Sequence, residues 1–437
     1  MSALRKCVLP VTSKLLNQLE VRCFSASSAL KTDTTTQDLQ VNEQTRRNVE
    51  VGQLTELVRD FLHPSEFYDA VRGIGIDFFC GVPDSLLKDF CAFVSNRVAP
   101  EKHVIAANEG NAISIASGYH LATGKASLVY LQNSGLGNTV NPLVSLASGE
   151  VYSIPMLLLI GWRGEPGKRD EPQHLLQGHI TPRILEAVGI EYTTLPDYIE
   201  GAKRTLNKAK RYMEANSCPY ALLVRRQTFL PCKLQITPSR YSMTREMALQ
   251  IIVDTIMDNS IIVSTTGMLS RELFEYRVSR EQGHEKDFLT VGSMGHASTI
   301  ALGIALQKPS RQVYCLDGDG AMIMHMGALA TIGQTSPKNM KHIIFNNGAH
   351  DSVGGQQTAA RNPQFDIIKI CKGNGYTQGK VATNECELAE AVHWIQNIEG
   401  PAVLEVKICQ GSRKELGRPN RTPLQNKSDF MNFLAFS

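Results

Sequence analysis

From about residue 58 to residue 407, short apolar runs alternate with segments of helical period. A strand that returns to its neighbour through a helix runs parallel to it. A chain with this rhythm therefore builds parallel sheets covered on both faces. In the first half, strands are predicted at 76–79, 104–107, 127–131, 156–160, 191–195 and 220–224, with helices such as 111–123 and 136–148 between them. In the second half they are predicted at 261–264, 288–291, 312–316, 341–345, 379–383 and 402–407. Between the halves, 227–242 holds Pro231 and Pro238 and no helical period, the mark of a linker. With 437 residues, the chain suits two domains of about 170–190 residues better than one. The expected class is α/β: two doubly wound parallel-sheet domains, 58–226 and 244–410, joined by 227–243. The tail 411–437 is polar until Phe430-Met431-Asn432-Phe433-Leu434, which can dock as a last short helix.

Composition excludes several function classes. Apolar content of 42% with 20% charged residues is that of a globular protein. A formal charge of +3, with no basic stripe and interleaved aromatics, argues against nucleic acid. The longest apolar run, 154–162, is too short to span a membrane. The ten cysteines show no C-x-x-C spacing, so neither a zinc site nor a disulfide framework is expected. The first fifty residues differ from the rest: Arg5, Lys6 and Lys14 precede the first acidic residue, Glu20, and a Ser-rich stretch follows Arg22. That composition suggests a mitochondrial presequence over 1–50 and a matrix location. A tail without an address, on a cytoplasmic protein, is the alternative.

Chemistry concentrates at strand ends. Gly318-Asp319-Gly320 follows the run 313–316, and Asn346-Asn347 follows the run 342–345, with one amphipathic helix expected between them. Parallel strands joined by a right-handed crossover end at the same sheet edge. One carboxylate and two carboxamides thus face one crevice beside glycines that let a ligand approach the backbone. Such oxygen donors suit Mg²⁺ better than zinc or copper and point to a metal-anchored phosphorylated cofactor. A second constellation, Asn108-Glu109-Gly110-Asn111-Ala112, sits where the strand 104–107 gives way to a helix. By itself it reads as a carboxylate favoured by the helix dipole. Gly135-Leu136-Gly137-Asn138 imitates a dinucleotide fingerprint, but Val140 replaces the third glycine and no acidic residue ends the next strand.

Together these motifs resemble the thiamine-diphosphate-dependent enzymes, whose fold pairs a pyrimidine-binding with a diphosphate-binding α/β domain. The resemblance implies thiamine diphosphate and Mg²⁺ as cofactors, with Asp319, Asn347 and the carbonyl of Ala349 as metal ligands. It makes Glu109 the catalytic glutamate, followed by Gly110, Ala112, Gly118 and Tyr119 in the matching helix. There the carboxyl bonds N1′ of the aminopyrimidine and shifts the ring to an imino tautomer that can take the C2 proton. Thr266 and Gly267, after the strand 261–264, would meet the cofactor. Gly292 would offer its carbonyl to the 4′-amine, Met294 would bend the cofactor, and Gly318, Gly320 and Ala321 would lie along the diphosphate.

The short linker leaves no room for the third domain of longer relatives. Gln132-Asn133-Ser134-Gly135, Trp162-Arg163-Gly164-Glu165-Pro166-Gly167, Asp170-Glu171-Pro172-Gln173-His174, His325-Met326-Gly327 and Ser352-Val353-Gly354-Gly355-Gln356 resemble phosphonopyruvate decarboxylases. That family decarboxylates 3-phosphonopyruvate to phosphonoacetaldehyde in phosphonate biosynthesis. Sulfopyruvate decarboxylases, or another short 2-oxo acid decarboxylase, are the alternative, and an inactive binding module of this fold a distant one. A small anionic 2-oxo acid needs donors and positive charge, and Asn133, Ser134, Arg163, His325 and His350 are the candidates. The resemblance also implies a homodimer or larger homo-oligomer with sites between subunits.

Overall fold

The computed structural model describes residues 61–436, so the predicted presequence and residues 58–60 lie outside the described residues. The first sheet holds β1 (Phe79–Gly81), β2 (His103–Ile105), β3 (Leu128–Gln132), β4 (Leu157–Gly161), β5 (Glu191–Thr194) and β6 (Tyr220–Val224). Its order is β2-β1-β3-β4-β6-β5, with every pair parallel. The second holds β7 (Ile261–Ser264), β8 (Asp287–Leu289), β9 (Val313–Gly318), β10 (Met340–Asn346), β11 (Gln378–Ala382) and β12 (Ala402–Lys407). Its order is β11-β12-β10-β9-β7-β8, again all parallel. The α/β class expected from the alternation is the class observed, with individual strands shifted by one to three residues.

Side-chain alternation explains why these runs sit inside. In the first sheet, Leu128, Tyr130, Leu157, Leu159, Tyr220 and Leu222 pack on one face. Their neighbours Val129, Leu131, Leu158, Ile160, Ala221 and Leu223 pack on the other. In the second, Tyr314, Leu316, Ile343 and Phe345 belong to one face, and Val313, Cys315 and Ile344 to the other. Both faces are covered by helices, so most positions along a central strand are apolar, with Asp317, Lys341, His342 and Glu405 as buried polar exceptions in the second sheet.

Two expectations about helices need correction. The single helix predicted between Asp319 and Asn346 is two, Asp319–Met324 and Ala328–Thr335. His325, at φ −128° and ψ 48°, leaves the helical region. The helix predicted over 136–148 is regular only over Leu136–Pro142 and continues as a wider i→i+5 turn over Leu143–Ala147. The last helix is longer than the apolar run suggested, covering Pro423–Phe436. It lies along β8, the sheet edge: Asn426 accepts from Leu289 N–H (3.1 Å) and donates to Asp287 O (2.9 Å), and Phe430 packs on Phe288. A covered edge cannot template pairing with another strand.

The connection between the sheets has neither helix nor extended strand beyond a bridge between Leu62 and Phe229. It is nevertheless tied to both halves. Cys232 N–H donates to Asp89 (2.9 Å), Asn96 to Lys233 O (2.9 Å), and Arg361 to Thr237 O (2.8 Å). The described cysteines are free, four of them buried, and no described helix is long and apolar enough to cross a membrane.

Candidate active site

Strand order picks out where ligands bind. In the first sheet the connections leaving β1 and β3 diverge, and in the second those leaving β7 and β9 do so. At such switch points the strand ends open a crevice. The second crevice is flanked by Thr265-Thr266-Gly267 after β7 and by Gly318-Asp319 at the end of β9. The register sets Gly318 opposite Phe345, so Asn346 and Asn347 emerge next to Asp319.

Asp319 is buried, 2% exposed, and burial lifts its pKa to about 7 despite donation from the Thr358 hydroxyl and from backbone amides of Gly320 and Asn347. Asn346 turns away from this point and donates to Glu405 Oε1 on β12 (2.6 Å), so it holds the sheet. Asn347 stays: its Oδ1 accepts from Ala349 N–H (3.0 Å) and its Nδ2 donates to Asp351 (2.6 Å). The Asp319 carboxyl, the Asn347 amide oxygen and the Ala349 carbonyl are oxygen donors of the kinds that a hard divalent cation takes. Across the crevice, Gly267 has φ 104° and ψ −140°, a backbone state closed to other residues. Thr265 Oγ1 beside it is buried without a partner, a polar atom free for a ligand. These residues fit a diphosphate held through a cation.

The turn Gly292 to Gly295 is bent by left-handed conformations at Ser293 (φ 52°) and Gly295 (φ 86°). A Cβ on Gly295 would lie 2.6 Å from the His325 ring and 2.8 Å from Ala321 O, so this turn rests directly on the helix that Asp319 opens. Met294 is half-buried at its apex, and Gly292 faces Gln173 of the first half. The His325 and His296 rings lie 4.3 Å apart between centroids, tilted by 48°; burial and that neighbour hold the His325 pKa below the usual range. The His350 ring flanks Gly320, and burial drives its pKa down to about 4, leaving a neutral imidazole near pH 7.

In the first half, Asn108 caps the helix Glu109–Thr123 by accepting from Asn111 N–H (2.9 Å). Glu109, 5% exposed, takes a hydrogen bond from Asn138 Nδ2 at 2.7 Å. A Cβ on Gly135 would lie 2.2 Å from the Glu109 carboxylate, and one on Gly110 would lie 2.8 Å from Asn138 O. Of the glycines that imitate a dinucleotide fingerprint, Gly135 therefore makes room for Glu109, while Gly110, beside Glu109, makes room for Asn138. Asn108 also donates to Met324 O (3.2 Å), bringing this junction against the end of the helix after Asp319. Among the described residues, no hydrogen bond or ion pair joins Glu109 to Asp319, Asn347 or Ala349.

The proposed substrate donors behave less uniformly. Arg163 is spent on Asp170, which it grips through two nitrogens, and on Ser85 Oγ (3.0 Å). That pairing keeps Asp170 well below the usual carboxylate range despite its burial. Asn133 is buried and saturated by Arg163 N–H and O and by Thr181 (3.1, 2.8 and 3.0 Å). Ser134 is exposed and donates to Gln132. Sequence reasoning overlooked Asp84, at the first switch point. Fully buried with its pKa raised by burial, it accepts from Leu86 and Leu87 N–H (2.9 and 3.1 Å) and from Gln132. Its position three residues beyond the end of β1 was the available signal. Asn138, Thr358 and Asp351 were missed as partners of Glu109, Asp319 and Asn347, because nothing local announces such contacts. Spatial clustering also brings Cys315, Asp317 and His342 together inside the second sheet. Both His342 nitrogens are already engaged there, by Asp317 (3.3 Å) and Tyr376 (3.0 Å).

Comparison with known proteins agrees with this geometry. Residues 66–184 match the N-terminal TPP binding domain of thiamine pyrophosphate enzymes, and residues 265–406 match the C-terminal TPP binding domain. A phosphonopyruvate decarboxylase of Streptomyces viridochromogenes is 32% identical over 384 residues, covering 84% of this chain and 93% of its own length. One from Streptomyces hygroscopicus is 31% identical over 388 residues, with the same coverage. A sulfopyruvate decarboxylase of Methanosarcina acetivorans is 32% identical over 315 residues, 67% of this chain and 77% of its own. The chain belongs to the thiamine pyrophosphate enzymes. Within them it is a decarboxylase, a carboxy-lyase that uses thiamine diphosphate.

Proposed function

We propose that the substrate is 3-phosphonopyruvate, converted to phosphonoacetaldehyde and CO₂ in phosphonate biosynthesis, and that Mg²⁺ anchors the cofactor. The observation that carries the substrate is the likeness to two phosphonopyruvate decarboxylases along 93% of their length. Bound thiamine diphosphate supplies the electron sink that lets CO₂ leave. The chain's own residues bind and orient. Asp319, Asn347 and the Ala349 carbonyl would hold Mg²⁺, while Thr265, Thr266 and Gly267 would line the diphosphate. Glu109, kept in one orientation by Asn138 and the Gly135 gap, would hold and return the proton at the pyrimidine edge. Gly292 and Met294 would set the cofactor's bend. His325 and His350, neutral near pH 7, would serve as hydrogen-bonding groups toward the substrate. With Arg163 bound to Asp170, its charge would organise the loop that faces the anion.

The resemblance to the thiamine-diphosphate-dependent enzymes supports sites shared between subunits of a homodimer or larger assembly. The N-terminal composition supports import into the mitochondrial matrix, the cytoplasm being the alternative.

Kinetics on 3-phosphonopyruvate, sulfopyruvate and pyruvate test the reading. The first should give the highest kcat/KM; preference for sulfopyruvate, the substrate in the name of the Methanosarcina relative, would replace it. In the same assay Glu109→Gln should lower kcat by about 10²–10⁴-fold without unfolding the chain. Near-normal turnover in that variant would sink the role given to Glu109.

A further inference from the structure

A primary amide presents two different ends: an oxygen that can ligate a hard cation and an NH₂ that cannot. Asn347 serves its proposed role only if the oxygen faces the cation, and the structure contains a device that decides this. Asp351 Oδ2 lies 2.6 Å from Asn347 Nδ2. An ionised carboxylate only accepts, so it draws the NH₂ end toward itself. Oδ1 then points the other way, where Ala349 N–H (3.0 Å) occupies one lone pair and leaves the second available.

Asp351 is itself held in place. It accepts from Gly411 N–H (3.0 Å) and lies 3.4 Å from Arg245 Nη1. Arg245 is 7% exposed and forms a two-pronged pair with Glu272 (2.8 and 3.0 Å), its Nη2 also reaching Gly411 O at 3.4 Å. Glu272 sits on the helix Met268–Ser279, which begins where Thr265-Thr266-Gly267 ends. A line of charge-assisted bonds thus runs from the helix beside the diphosphate crevice to the amide of Asn347.

We propose that Asp351 is a positioning residue that fixes which end of the Asn347 amide faces the cation, with Arg245 and Glu272 as its buttress. The proposal rests on the reading that Asp319 and Asn347 hold the metal. Partners of this kind orient metal ligands and typically change metal affinity by about 10–100-fold when lost.

The test titrates Mn²⁺, followed by its electron paramagnetic resonance signal, into the full chain saturated with thiamine diphosphate. Wild type, D351N, N347A and the double variant are compared, with D351A as a second probe should D351N fold poorly. D351N should bind Mn²⁺ about 10–100-fold more weakly. The double variant should bind no more weakly than N347A, because Asp351 acts through Asn347. Wild-type affinity in both Asp351 variants, or effects of D351N and N347A that simply multiply, would overturn the proposal. Failure of wild type to take up Mn²⁺ is a different result: it removes the metal reading, and this proposal with it.

Discussion

Glu109 and Gly135 are explained only as a pair. The carboxylate occupies the volume that any larger residue at 135 would need, with 2.2 Å between its oxygen and a Cβ placed there. Asn138 then closes the far side with a 2.7 Å hydrogen bond. Gly135 has an ordinary backbone conformation, so its requirement is one of space. Gly135→Ala should therefore leave the fold and melting temperature nearly unchanged while swinging the carboxylate away. A misplacement of about an ångström costs on the order of 10²-fold, so kcat should fall by about that factor. Steady-state kinetics beside circular dichroism check this, and an unaltered kcat would show that the carboxylate's position is not critical. The sequence made Glu109 conspicuous at a strand-to-helix junction. It could not show what the neighbouring glycines were for, since the contact spans two helices.

Among the elements, the helix Pro172–Ala187 meets the loop after β4 with no space to spare. A Cβ on Gly178 would lie 1.6 Å from Gly164 O and 2.1 Å from its carbonyl carbon, and Gly178 O accepts from the Trp162 indole at 2.9 Å. Backbone cannot yield as a side-chain tip can, so Gly178→Ala must push the helix off the loop that Arg163 and Asp170 organise. Overpacking of this sort costs about 1–3 kcal/mol. Urea denaturation should show that loss, and KM for the substrate should rise with it. Wild-type stability and KM would mean that the contact is softer than the geometry indicates. The strands were legible in the sequence because a fully buried parallel sheet leaves an unmistakable run of apolar residues. The break at His325 was not legible. The stretch between Asp319 and Asn346 read as one amphipathic helix, whereas the structure breaks it at His325, where the Gly292 to Gly295 turn packs against the ring.

For the whole molecule, the proposed sharing of sites between subunits gives a mixing experiment. Glu109→Gln and Asn347→Ala should each be inactive as homo-oligomers. If the two residues of one site come from different chains, co-refolded equal mixtures restore one intact site in each mixed dimer. Activity should then return to about a quarter of wild type. No recovery would place both residues of each site in one chain. Exposed Leu121, Val144, Leu175 and Leu176, all in the half that carries Glu109, provide apolar surface for such an assembly. By itself, the sequence determined the two parallel-sheet halves, the crevice ends at Asp319 and Asn347, and the family, because period, strand-end position and motif spacing are local properties. Only the tertiary structure decided that Asn346 bonds Glu405 on β12 while Asn347 bonds Asp351, that Thr358 bonds Asp319, and that Arg163 is already paired. Asn346 with Glu405 and Thr358 with Asp319 meet across elements far apart in the chain, while the contacts of Asn347 and Arg163 span only four and seven residues; in each case which side chain turns toward which partner is settled by packing.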